Sequence, residues 1–409
     1  MIRFRRKAAR FAGTKEIYRM FAVFGPARKV ALTILALVGA AILAACEPGA
    51  VGGGPTINTT KPVPVALLVP KSSAQGGDAL LAQSLENAAR LAMADLQGVQ
   101  IDLRVYDTAG NAATAAAVAR QAVDEGAKII LGPVYAQNAN AAGLAVLKDN
   151  VNVLSFSNNT NIAGGNVFVL GPTFDNTARR LSAYASRQGK GNILIVHSTD
   201  EAGQLGRDAI QKAIGATGAR QAGIVAYERS QQGVIAAVPQ VRDSVAGSGA
   251  QSIFLTSTTA GALPLFTQLL PEAGVSPQVT QYIGLTRWDI PAQTLELPGV
   301  QGGWFAMPDP VKTQQFNARF AAAYGGAPHP IGGLAYDGIA AIGALVGAGK
   351  ADALTGAALT QGAGFQGVGG IFRLRPDGTN ERGLAVASIQ NKQVVVIDPA
   401  PTSFSGAGF

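Results

Sequence analysis

Residues 128–159 read KIILGPVYAQNANAAGLAVLKDNVNVLSFSNN, and this stretch decides the architecture. The apolar run Ile129, Ile130, Leu131 stops at Gly132-Pro133, passes through polar Tyr135, Gln137 and Asn138, and enters an alanine-rich segment of helical character. A second apolar run, 151–156, follows. The order predicts strand, turn, helix, strand. In an open α/β sheet, small ligands sit beyond the carboxyl ends of the parallel strands, so both polar loops of this stretch border one crevice.

Toward the N-terminus the same alternation holds. Residues 65–69 form an apolar strand stopped by Pro70, and the polar loop 71–77 leads to Asp78, expected to cap a helix whose Leu81, Leu85, Ala88 and Ala92 share a face. Ile101, Leu103 and Val105 alternate with polar neighbours as a half-exposed strand, and a turn at 107–111 opens an alanine helix closed by Gly126. Beyond Gly171-Pro172 the pattern restarts, with helices expected at 173–188, 204–214, 234–246 and 262–273 and strands at 193–197, 222–227 and 253–256. Two β/α units of similar size therefore stand in tandem.

The remaining segments are helical at 316–324 and 331–346 and extended at 371–374, 384–389 and 394–397. They are too few for an independent core and are expected to return to the two units. A chain that crosses between two lobes more than once makes a hinge, and two lobes on a hinge make a cleft. The fold class is α/β, two Rossmann-like β/α lobes joined by a multi-crossover hinge.

The net charge of +8 suggests nucleic acid until it is located. Nine basic residues against Glu16 within residues 1–29 account for all of it, so the remainder is balanced and gives no reason to expect a phosphate backbone as partner. After this basic region come sixteen residues without a charge, 30–45, and then the only cysteine, Cys46. That run is short for a spanning helix, which needs about 20 residues, and fits a signal-peptide core. Residues 47–61, EPGAVGGGPTINTTK, read as a flexible tether.

Enzyme chemistry has little to stand on. There is no G-x-S-x-G elbow, and the two histidines, His197 and His329, are far apart in sequence. His197 ends a strand beside Ser198 and either edges the cleft or is a strand-end histidine with a local hydrogen bond. No CxxC, HExxH or acidic calcium loop is present, so no metal or cofactor is expected. Gly189-Lys190-Gly191 lacks the spacing of a phosphate loop.

What recurs is polar loop chemistry after strands: Ser72 and Ser73; Tyr135, Gln137 and Asn138; Ser157, Asn158 and Asn159; and Asp200. Hydroxyls and amides at strand ends can hydrogen-bond a small polar molecule, although each alone also fits a solvated turn. Trp288, in Thr286-Arg287-Trp288-Asp289, either lines the second lobe's side of the cleft or packs on its own lobe.

These features carry a resemblance. The strand at 65–70, Ile130-Leu131-Gly132-Pro133, the strand and loop at 153–159, Gly299-Val300-Gln301-Gly302 and Ala335-Tyr336-Asp337-Gly338 resemble the type I periplasmic-binding-protein fold of the leucine-binding-protein-like group. That group implies a non-enzymatic, two-lobed, hinged binding protein. Leu43-Ala44-Ala45-Cys46 is similar to a bacterial lipobox, which implies cleavage before Cys46 and lipid on that residue; the competing reading is an uncleaved signal anchor. Glu47 rather than aspartate after the cysteine implies an outer-membrane anchor facing the periplasm.

The wording at 66–70 and at 154–174, LSFSNNTNIAGGNVFVLGPTF, is similar to the penicillin-binding protein activators. This subgroup implies regulation of a peptidoglycan synthase by protein contact. The alternative is a solute receptor that serves an ABC permease and takes an amino acid of branched-chain type or a similar small polar ligand. Amino-acid receptors keep small hydroxyl residues where this chain has Tyr135 and Gln137, a Ser/Thr loop where it ends in Asn159, and Tyr-Gly where it has Ala202-Gly203. The expected boundaries are a signal peptide at 1–45, a tether at 46–61, a first lobe of 62–174 plus 310–365, a second of 175–309 plus 366–398, and a disordered tail at 399–409.

Overall fold

The computed structural model describes residues 54–405, which fold as two α/β lobes. The expected signal peptide, Cys46 and the first part of the tether lie outside the described residues. The first lobe contains β1 (Val63–Val69), α1 (Asp78–Asp95), β2 (Ile101–Asp107), α2 (Ala112–Asp124), β3 (Ile129–Leu131), α3 (Ala136–Val146), β4 (Asn152–Ser155) and β5 (Val167–Val169). All five strands are parallel, in the order β2-β1-β3-β4-β5. The period of two along β1 divides its side chains between two cores. Val65, Leu67 and Val69 pack with α1, while Ala66 and Leu68 pack with α2 and α3.

The second lobe runs α4 (Phe174–Arg187), β6 (Asn192–Ser198), α5 (Glu201–Thr217), β7 (Arg220–Tyr227), α6 (Gln231–Ser248), β8 (Ser252–Leu255), α7 (Leu263–Glu272), β9 (Gln281–Gly284) and β10 (Trp304–Met307). In β6 the same alternation sends Leu194 and Val196 to one core and Ile193 and Ile195 to the other. The chain then returns through α8 (Pro310–Tyr324), α9 (Gly333–Gly347), α10 (Gly356–Leu359), β11 (Phe365–Gly367), β12 (Gly370–Leu374) and β13 (Asn380–Arg382). Phe316, Phe320, Ile339, Phe365, Phe372 and Leu374 of this return pack into the first lobe's core. Residues 366–374, assigned from sequence to the second lobe, are thus held by the first, because alternate side chains of β12 point into its core. Finally β14 (Ala385–Gln390) and β15 (Gln393–Asp398) extend the second sheet, ordered β15-β14-β10-β9-β8-β6-β7.

The crossovers are cross-linked. Asn380 Nδ2 donates to the carbonyls of Val169 and Gly171, both at 2.8 Å, and Asn176 Nδ2 donates to Asn380 Oδ1 at 2.8 Å. Arg382 donates to the Leu170 carbonyl at 2.6 Å and pairs with Asp337 of α9 at 3.0 Å. The chain leaves the first lobe from the C-terminal end of β5 and the second from that of β10, so the C-terminal rims of both sheets border the hinge.

Two expected flexible segments are held down. From Gly54 onward the tether is docked on the first lobe, with Ile57 buried and its N–H donating to the Ala351 carbonyl at 2.9 Å. The tail is ordered through Ser405: the Pro399 carbonyl accepts from Arg180 at 3.1 Å, and the Arg373 guanidinium lies 4.4 Å from the centre of the Phe404 ring. An apolar anchor overrides the loop-like composition in each case.

Candidate functional site

On the first lobe's rim, Gly132 makes the turn after β3. Its φ is +91°, and a Cβ there would stand 2.3 Å from the Leu68 carbonyl oxygen, so only glycine fits. The turn delivers Tyr135 to the start of α3, where its hydroxyl donates to Asp78 Oδ1 at 2.5 Å. Burial and the neighbouring Asp78 carboxylate push the Tyr135 hydroxyl up to about 12. Asp78 was expected as a helix cap. Gly77 holds that position instead, and the Asp78 side chain turns inward to Tyr135 because α1 starts there.

Ser72 N–H and Ala109 N–H donate to Asp107 Oδ1 at 3.2 and 2.8 Å. Burial opposes ionisation of Asp107, but these hydrogen bonds hold its carboxyl below the ordinary range. Ser73 Oγ accepts from the Gln75 N–H. After β4, Ser157 Oγ accepts from the Asn159 N–H at 3.1 Å, and Asn159 Oδ1 accepts from the Asn161 N–H at 2.8 Å. Asn158 and Gln137 are exposed, and Asn138 is buried at the start of α3.

On the second lobe's rim Asp200 caps α5, accepting from the Gly203 N–H at 3.1 Å and from the Ser198 hydroxyl, and pairs with Arg229 at 3.2 Å. The Ser198 hydroxyl is the main cause that holds the Asp200 carboxyl low. His197 is buried, and its Nδ1 donates to the Ser198 carbonyl at 2.8 Å. Arg287 pairs with Asp289 and borders a cavity of about 230 Å³ whose other walls are Met307, Pro308 and the first turns of α8. This cavity joins the second lobe's strand ends to the first lobe's helix at the hinge.

Trp288 does not line the cleft. It is fully buried in the second lobe's core, its ring so close to Gly284 and Gly303 that a Cβ at either would stand 2.1 or 2.2 Å away. Two small residues make room for the indole, and the rim loses an aromatic cover.

The unpartnered atoms are more informative. Buried side-chain polar atoms with no hydrogen-bond partner among the described residues include Asp78 Oδ2 and Asn138 Nδ2 on the first rim, and Thr256 Oγ1, Ser257 Oγ and Thr286 Oγ1 on the second; Asn152 Oδ1, Arg179 Nε, Ser182 Oγ and Trp288 Nε1 are unpartnered elsewhere. Each such atom costs about 1–3 kcal/mol when left unsatisfied. Thr256, Ser257 and Thr286 were missed from sequence. Their signal was a hydroxyl directly past a short apolar strand. Among the described residues no group of three or more His, Cys, Asp and Glu could hold a metal ion, and no helix is long and apolar enough to cross a membrane.

The sequence pattern of the periplasmic binding protein family matches residues 62–393. The chain belongs to this family. Its two lobes and hinge are the type I periplasmic-binding-protein fold, and the family is one of binding proteins. A solved structure from Rhodospirillum rubrum assigned to branched-chain amino acid ABC transport superposes with a TM-score of 0.69 at 20% identity, covering 82% of this chain and 100% of that one. A branched-chain amino acid ABC transporter periplasmic ligand-binding protein from Burkholderia xenovorans LB400 gives 0.63 at 20% identity, over 84% and 97%. An ABC transporter solute-binding protein from Rhodopseudomonas palustris BisB5, in complex with 3,4-dihydroxybenzoic acid, gives 0.54 at 16% identity, over 83% and 96%. No curated protein shows significant similarity to the sequence.

Proposed function

We propose that this periplasmic binding protein is a solute receptor that closes its two rims over a small polar molecule and serves an ABC permease from the periplasm. The observation that carries the reading is the placement of unpartnered buried polar atoms on both rims, donors and acceptors that a ligand could satisfy. Its structural neighbours assigned to branched-chain amino acid ABC transport support it. The set is mostly neutral: hydroxyls, one amide and one carboxylate oxygen. An amino acid or a hydroxylated acid suits it, since the Asp78 carboxylate can accept from an ammonium or hydroxyl group. The anchoring of the receptor by lipid on Cys46 belongs to the same proposal.

The reading as a regulator of a peptidoglycan synthase rests on the wording of residues 66–70 and 154–174, the lipobox-like Leu43–Cys46 and the altered rim residues Tyr135, Gln137 and Asn159. In the structure residues 154–174 build the fold: Asn166 Nδ2 donates to the Gly143 and Val151 carbonyls, and a Cβ on Gly171 would stand 2.5 Å from the Ser157 carbonyl oxygen. The transport reading stands first because structural neighbours assigned to branched-chain amino acid ABC transport favour it. Calorimetric titration of the protein against a panel of amino acids and hydroxylated aromatic acids tests it. Binding in the micromolar range or tighter is expected, and silence across the panel would sink it.

A further inference from the structure

A second cavity, of about 290 Å³, lies between α4 and α5 of the second lobe and the turn joining β12 to β13. Its walls come from both lobes. Arg179 and Lys212 belong to the second-lobe helices, whereas Arg375 sits on the hairpin whose Gly378 carbonyl accepts from Val169 of the first lobe at 2.8 Å.

Charge is unevenly met here. Buried Glu381 is the carboxylate on which Arg179 at 2.7 Å, Arg375 at 2.9 Å and Arg373 all converge. One carboxylate cannot neutralise three guanidiniums, and Arg179 Nε is buried with no hydrogen-bond partner. The other cations are committed: Lys212 pairs with Asp175, Arg180 with Asp398 and Arg382 with Asp337. Asp377 lines the same cavity near Arg375 and offsets part of this charge, so three guanidiniums face two carboxylates and the remaining surplus lies on the trio around Glu381.

We propose that this cavity is a binding site for a small oxyanion, phosphate or a compact di- or tricarboxylate, held between Arg179 and Arg375. Guanidinium forks match carboxylate and phosphate oxygens in pairs, which gives such a site directionality that lysine would not. Because Arg179 travels with the second lobe and Arg375 with the first, a bound anion favours the lobe arrangement that brings them together. By linkage, cleft occupancy then changes anion affinity by the same factor as the anion changes solute affinity. The inference goes beyond the transport reading and does not depend on which solute the cleft takes.

The test is calorimetric titration of the full chain at low ionic strength with inorganic phosphate and, separately, with citrate. Saturable binding of at least one is expected, with Arg179→Gln and Arg375→Gln each weakening it about tenfold or more, the effect of losing a charge-assisted hydrogen bond. Circular dichroism melting checks that each variant folds. Should Arg179→Gln fail to fold, Arg375→Gln decides alone. Absence of saturable binding of both anions to the wild-type protein, or unchanged affinity in Arg375→Gln, would overturn the proposal.

Discussion

Asp337 Oδ2 and Arg382 Nη1 meet at 3.0 Å, both side chains nearly closed to solvent, and this pair fastens α9 of the first lobe to the third crossover. Arg382 also holds the Leu170 carbonyl, so two crossovers share one guanidinium. Asp337→Ala strands a buried cation and is expected to cost about 3–5 kcal/mol in urea unfolding. A loss under 1 kcal/mol, on the order of an exposed pair, would show that the hinge is not fastened here.

The Tyr135–Asp78 hydrogen bond makes alkaline stability sensitive to one hydroxyl. Tyr135 is raised from 10.0 to about 12 in the folded protein. A raised value means that its stabilising contribution is complete below pH 10 and is lost as pH climbs toward 12. Tyr135→Phe should flatten that part of the stability profile and also weaken the fold at neutral pH by about 1–3 kcal/mol, the cost of leaving Asp78 less satisfied. Thermal melts from pH 8 to 12, on the order of five steps, check both.

Trp288 and Trp304 separate by environment. Trp288 is fully buried, whereas Trp304 is half-buried with its ring edge-on to Tyr184 at 4.8 Å. With Trp304→Phe, the remaining emission should be blue-shifted and should not move when solute is added. Trp288→Ala should destabilise the second lobe by about 3–5 kcal/mol through the cavity it leaves. A solute-dependent shift in the Trp304→Phe protein would place Trp288 at the ligand after all.

Asp200 tests whether a rim residue is a cap or a ligand contact. Asp200→Ala is expected to cost about 0.5–2 kcal/mol by loss of the α5 cap. Because the folded carboxyl is held low by Ser198, the contribution is present at neutral pH and is lost as pH falls through that depressed value. Solute affinity should change little beside stability. A loss of affinity of about a hundredfold, near 2.7 kcal/mol, with unchanged melting would reassign Asp200 to the ligand.

The β/α alternation of residues 65–273 was legible because its strands read either as continuous apolar runs or, as in β2, as alternating ones, ended by Gly, Pro or polar loops. The strands β9 and β10 were not. QYIG and WFAM are four residues each, and their glycine neighbours are dictated by the bulk of Trp288, which is a tertiary fact. The lobe that holds residues 366–374 was equally hidden, since it depends on Phe372 and Leu374 meeting a core whose larger part comes from residues 57–170, far earlier in the chain. Strand-end loops were located correctly because topology fixes where they lie. Their partners were not: Asp78 looked like a cap and is instead bound to a tyrosine 57 residues away.

The ordered tail has a mechanical meaning. Ala400 packs on the second lobe while Phe404 lies under Arg373 of a strand held by the first, so the chain end bridges the same boundary as the three crossovers. An extended chain reaches at most roughly 3.3–3.6 Å per residue, so the few residues between these anchors have little slack. Opening the lobes widely therefore means peeling Phe404 off its cation. A cation–π contact at an exposed site is worth only about 0.5–1 kcal/mol, so the tail is a light tie across the boundary, easily released, and not a lock.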